Sequence, residues 1–159
     1  MKNTAQLLID IVKKTKPLLL EISDKDASIK PQPNKWSKKE TIGHLIDSAS
    51  NNHHKFLRTM EKDSHIFPPY EQNFWVQIQH YQNASWENLL NLWELYNIHL
   101  ANIMMNTETS FLKNKIFIGS SGPFELEFIM KDYVEHLKHH LKQILTTADF
   151  LENKFKMIY

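Results

Sequence analysis

The chain has 159 residues, 19 basic and 18 acidic side chains, a net charge of +1 and 42% hydrophobic residues, which suits one domain spanning 1–159 around a single packed core. So even a balance argues against a nucleic-acid partner, because phosphate binding needs clustered positive charge. The lack of cysteine excludes disulfides, thiolate zinc clips and a cysteine nucleophile.

The first residues, Met1 to Gln6, do not open a signal peptide, since Asp10, Lys13 and Lys14 interrupt the apolar residues that follow. No apolar stretch approaches the roughly 20 residues that span a bilayer, so a cytoplasmic protein with no membrane partner is expected. The first helix is predicted from about Thr4 to Ser23, with Leu7, Leu8, Ile11, Leu18 and Ile22 on its apolar face. Pro17 should kink or divide it. A loop with Pro31 and Pro33 follows. The second helix starts at a capping box, Ser37-Lys38-Lys39-Glu40, and runs to about Met60. After Pro68-Pro69, a short helix is expected over 73–80. A long helix covers about Ser85 to Met105 and carries Leu89, Leu92, Trp93, Tyr96 and Leu100. Thr107 to Gly122 reads as loop, with Lys115 to Ile118 as a short extended piece. Pro123 suits the first turn of a last helix reaching about Phe155. Four long amphipathic helices without a sheet pattern predict an all-α fold, a four-helix bundle with long connecting loops.

Histidines carry the chemical signal. His136 and His140 are four apart, which stacks their rings on one helix face. With His136 at zero on a wheel of about 100° per residue, the apolar stripe of Leu126, Ile129, Tyr133, Leu137 and Ile144 lies at about 20–100°. His140 falls inside it at about 40°, and His139 falls outside it at about −60°. A third imidazole from another helix would make a three-ligand site with open positions, as catalytic metal centres require. His44 sits well off the apolar face of its own helix, which centres at roughly 130° from it, and shares its side with Ser48, Asn51 and Lys55. Asp132, one turn before His136, could accept the second ring proton of a ligand histidine. Against this, nine histidines make chance spacing common. The tryptophans Trp36, Trp75, Trp86 and Trp93 read first as core anchors or loop plugs.

Three segments in order, Trp36-Ser37-Lys38-Lys39-Glu40 with Gly43-His44-Leu45-Ile46-Asp47, then Tyr70-Glu71-Gln72-Asn73-Phe74-Trp75-Val76, then Asp132 to His140, resemble the DinB-like superfamily, including its YfiT-type members. The resemblance covers nearly the whole chain. It implies a four-helix bundle, often a homodimer, with a divalent metal held by His44, His136 and His140. Imidazole ligands suit zinc, nickel, copper or iron, and zinc or nickel is preferred. Relatives include transferases that use low-molecular-weight thiols and others assigned to metal-dependent hydrolases or damage-inducible proteins. The leading expectation is therefore an S-transferase joining a low-molecular-weight thiol cosubstrate to an electrophilic small-molecule substrate, the cation favouring the thiolate. Asn51, Gln72 and Trp75 are then substrate-contact candidates, with Asp47 and Asp132 behind the ligands. The alternatives are a metal-dependent hydrolase, with Asp47 as a general base, and a non-enzymatic metal-binding stress-response protein.

Overall fold

A computed structural model describes residues 1–152. Four long helices make the frame: α1 (Lys2–Leu20), α3 (Lys38–Glu61), α5 (Trp86–Asn106) and α6 (Leu126–Ile144). Two short ones, α2 (Asp24–Ser28) and α4 (Gln72–Ile78), lie in the connections. Helix α1 packs mainly on α5, α3 lies against α5 and α6, and α6 returns to α1, which closes a four-helix bundle. The interior is filled by Leu8, Val12, Leu45, Phe56, Leu90, Trp93, Leu100 and Tyr133, each essentially inaccessible. Several polar groups buried with them are paired, although the indole N–H of Trp93 has no partner among the described residues. Tyr133 donates to Asn97 Oδ1 at 2.6 Å, and Asn97 in turn donates to the Trp93 carbonyl at 2.8 Å. The indole of Trp86 donates to the Leu19 carbonyl at 3.0 Å, tying the start of α5 to the end of α1.

Helix α3 begins as its sequence predicts. Ser37 Oγ accepts from the Glu40 amide at 3.2 Å, and Glu40 Oε2 accepts from the Ser37 amide at 2.8 Å, so two amides at the helix start are satisfied reciprocally. Helix α1 corrects the reading of Pro17. The proline lies on the exposed side of one unbroken helix, whose opposite face buries Thr15 and Leu19. The chain then turns at Ser23, whose side chain caps α2.

A three-stranded sheet, which the sequence reading lacked, lies between the bundle helices in chain order. Strand β1 (His65–Phe67) pairs in parallel with β2 (Lys115–Ile118), and β2 pairs antiparallel with β3 (Ser121–Glu125). Pro123 belongs to β3, not to a helix, and α6 starts three residues later at Leu126. At Gly122, φ is +121° and an added Cβ would lie 2.9 Å from the Ile116 carbonyl, so glycine is required in this turn. Helix α6 stops at Ile144, well short of Phe155, before the weak helix formers Thr146 and Thr147. A single 3-10 turn follows over Asp149–Leu151, and Phe155 itself lies outside the described residues. No helix among the described residues is long and apolar enough to cross a membrane.

Candidate metal centre

The centre forms where α3 crosses α6. The first turns of α3 are buried all round, from Lys39 to Ala49, because α4 and the 3-10 turn at Tyr81–Asn83 cover the outer side. His44 is consequently inaccessible to solvent, although its helix wheel places it off the apolar stripe. His136 is 5% exposed, and His140 is half-buried one turn further along α6. The Nε2 atoms of His44 and His136 are 3.2 Å apart, and the three rings offer ligand atoms all within 4.8 Å of one another. Their planes cross pairwise at 69–71°, with centroids 4.6–5.1 Å apart.

This arrangement fits a small divalent cation. Nitrogen ligands at about 2.0–2.1 Å in tetrahedral geometry sit about 3.4 Å from each other, close to the separation of the His44 and His136 nitrogens. The three rings cross edge to edge instead of stacking. The far nitrogens of two rings are also engaged. His136 Nδ1 lies 3.3 Å from Ser48 Oγ, and His140 Nδ1 lies 3.1 Å from Gln143 Oε1, which leaves both Nε2 atoms toward the centre. Gln143 accepts there, so His140 carries its proton on Nδ1. Nδ1 of His44 is buried with no hydrogen-bond partner among the described residues.

Burial also sets the protonation of the rings. Desolvation, reinforced by the nearby His140, pushes His44 down to about 3. Desolvation lowers His140 to about 4 and, with its neighbouring imidazoles and Lys55, takes His136 well below its ordinary value of 6.5. All three rings are neutral at pH 7 and hold the lone pairs that a metal needs. The same shifts predict acid lability in metal-free protein. The unfolded chain takes up protons below about pH 6.5, and the folded rings do not. Stability therefore falls as pH drops from 6.5 toward 3, by up to ~1.4 kcal/mol per pH unit for each of the buried His44 and His136. Urea midpoints measured against pH on chelated protein should show this slope, and His44→Gln should reduce it.

The other singled-out residues are placed differently. His139 is exposed, in keeping with its place outside the stripe. Asp132, expected behind a ligand histidine, is buried and attracts the Lys55 ammonium, while Ser48 stands at the second nitrogen of His136. Asp47 Oδ1 accepts from Gln79 Nε2 at 2.7 Å and Tyr81 Oη at 2.8 Å. A cavity of about 770 Å³ opens beside His140, lined among others by Trp36, Thr41, Asn73 and Gln143. Of the expected substrate contacts, Gln72 and Trp75 do not line it, whereas the neighbouring Asn73 does; Trp75 packs on Tyr70 instead. Asn51 lines a separate cavity. Two participants escaped the sequence reading. Trp36 sets its ring 4.8 Å from His44 and 6.3 Å from His140, as a wall between centre and cavity, and Ser48 orients His136. Trp36 immediately precedes the capping box and Ser48 follows His44 by one turn, so both positions were readable as neighbours of the site.

Residues 11–144 match the model of the DinB superfamily. A curated relative from Bacillus subtilis (strain 168), named "Putative metal-dependent hydrolase YfiT", is 22% identical over 140 residues, covering 87% of this chain and 79% of the relative. The solved structure of YfiT from Bacillus subtilis, described as an unusual four-helix bundle, superposes with a TM-score of 0.81 at 18% identity, covering 91% of this chain and 83% of that one.

Proposed function

The chain belongs to the DinB superfamily, and from that membership and its three converging imidazoles we propose that it is a metal-dependent hydrolase of small molecules. The observation that carries this reading is the 3.2 Å approach of the His44 and His136 nitrogens, with His140 completing the set at the edge of an open cavity. Three protein ligands leave further coordination positions open, the arrangement of a catalytic rather than a structural site. A divalent cation held there supplies Lewis acidity and brings the ionisation of water close to neutral pH. Zinc or nickel suits an all-imidazole set.

The chain's own residues do the rest. Ser48 and Gln143 hold two rings in one tautomer and orientation. Trp36 screens the ligands from bulk water and gives a substrate an apolar surface. Thr41 and Asn73 offer hydrogen bonds in the cavity that orient a polar group beside His140. Asp47, engaged by Tyr81 and Gln79, serves as a positioning residue for the start of α3 instead of a general base. Hydrolysis takes precedence over transfer to a low-molecular-weight thiol because the name of the relative supports the former, and no observation favours a thiol.

The test is turnover of a panel of activated esters and amides by zinc-loaded and chelated protein, with and without added thiol. Metal-dependent turnover without thiol is expected. Turnover only with thiol would replace this reading with the transferase. Metal binding that raises the melting temperature without any turnover would leave a non-enzymatic metal protein. A smaller prediction concerns Ser48→Ala, which leaves the His136 Nδ1 without the hydroxyl beside it. Metal affinity should drop about tenfold in a chelator competition, with the ligand set intact.

A further inference from the structure

A second cavity lies further along α3 and has a different character. Five residues of this helix, His44, Ser48, Asn51, Lys55 and Arg58, fall within about 40° of one line on a wheel of about 100° per residue. The first two belong to the metal centre. The last three, together with His54, line a cavity of about 320 Å³ that β1 closes from the other side with His65 and Phe67. The short sheet thus builds one wall. A guanidinium, an amine and two imidazoles meet there, and no carboxylate is among the lining residues. That composition is unusual in a chain with 18 acidic side chains.

Of the two cations, Arg58 is exposed, whereas Lys55 is not an ordinary surface charge. The Lys55 side chain is nearly buried at 5% exposure, with the carboxylate of Asp132 attracting it from α6. Desolvation brings its ammonium down to about 8 despite that carboxylate, so further negative charge beside it would be welcome. Arg58 is the single arginine of the chain and makes no ion pair among the described residues. Its planar fork matches the paired oxygens of a phosphate or carboxylate. The amide of Asn51 adds a neutral polar group, and the Phe67 side supplies apolar surface. The volume is at the small end for a ligand pocket.

We propose that this cavity binds a small organic oxyanion, a phosphate or carboxylate carried next to a compact apolar group, with Arg58 and Lys55 on the oxygens and the β1 wall against the apolar part. The site is distinct from the cavity beside His140 and does not depend on the reaction proposed there. Titration calorimetry of metal-loaded protein with phenyl phosphate and with benzoate tests it, and the two probes separate a phosphate from a carboxylate preference. Saturable binding of at least one is expected. Arg58→Ala, a change at an exposed side chain, should weaken that binding about tenfold or more, the loss expected for a charge-assisted contact. His65→Ala, on a different element, should weaken it in the same direction, while His140→Ala should leave it unchanged. Absence of binding at millimolar probe overturns the proposal. So does binding that survives Arg58→Ala and His65→Ala, or binding lost with His140→Ala, which would place the anion at the metal centre.

Discussion

His136→Ala is expected to abolish tight divalent-metal binding and metal-dependent turnover, with affinity falling more than about 100-fold, since even a residue behind a ligand costs 10–100-fold when removed. His136 is the natural choice because it touches both partners: its Nε2 faces His44, and its ring crosses that of His140. The discriminating readout is the thermal stabilisation that metal confers. At a hundredfold excess over its dissociation constant, a ligand binding only the folded state adds about 2.7 kcal/mol, a shift of roughly 5–10 °C for a domain of this size. Wild type should show that shift, and His136→Ala should lose it. In the absence of metal the variant should stay close to wild type. It forfeits some packing, but it also removes a buried neutral imidazole whose desolvation the fold otherwise sustains. A purely structural His136 would give the opposite pattern, a low melting temperature without metal and an undiminished shift with it. His139→Ala, at an exposed position on the same helix, should change neither quantity.

The parts of this site that the sequence made legible are those governed by local rules. The capping box fixed where α3 starts, and a four-residue spacing on a periodic helix brought His136 and His140 to one inward face. The wheel failed for His44 because it assumes one buried face and one wet one. Around Lys39 to Ala49 the outer side is covered as well, by α4 and Tyr81, so the polar side of the helix is interior there. Only the family resemblance reached that ligand. Of the strands, the extended piece Lys115 to Ile118 was readable and is β2, while β1, β3 and their assembly into a sheet were invisible for another reason. Three to five residues are too few for alternation to register, and their pairing joins segments about fifty residues apart, His65 with Ile116. Pro123 suits a helix start but is also tolerated on an edge strand, which β3 is, and the register of β3 with β2 places it there. Asp132 has the right spacing to support His136, and its attraction for the buried ammonium of Lys55, from a helix distant in sequence, was not readable.

Gly43→Ala should be among the most damaging small substitutions in the protein, because of an approach that no local pattern announces. Gly43 sits inside a helix with ordinary backbone geometry, where alanine would normally gain about 1 kcal/mol in helix propensity. Here an added Cβ would fall 2.1 Å from Cδ2 and 2.3 Å from Cγ of Tyr81, inside the ring's own van der Waals shell. The ring is poorly placed to give way. Tyr81 is 8% exposed, and its hydroxyl is tied to Asp47 at 2.8 Å and to Gln79 at 2.9 Å. Overpacking of a close-packed site costs typically 1–3 kcal/mol, and a clash against an anchored ring belongs at the upper end. Subtracting the propensity gain leaves a net loss of about 2 kcal/mol, readable as a lower urea midpoint. A double-mutant cycle isolates the cause. In a Tyr81→Ala background the methyl group has room, so Gly43→Ala should become neutral or stabilising. Undiminished cost in that background would place the strain elsewhere in α3. The substitution should also weaken metal binding, since displacing Tyr81 moves the helix turn that carries His44, the neighbouring residue, away from His136.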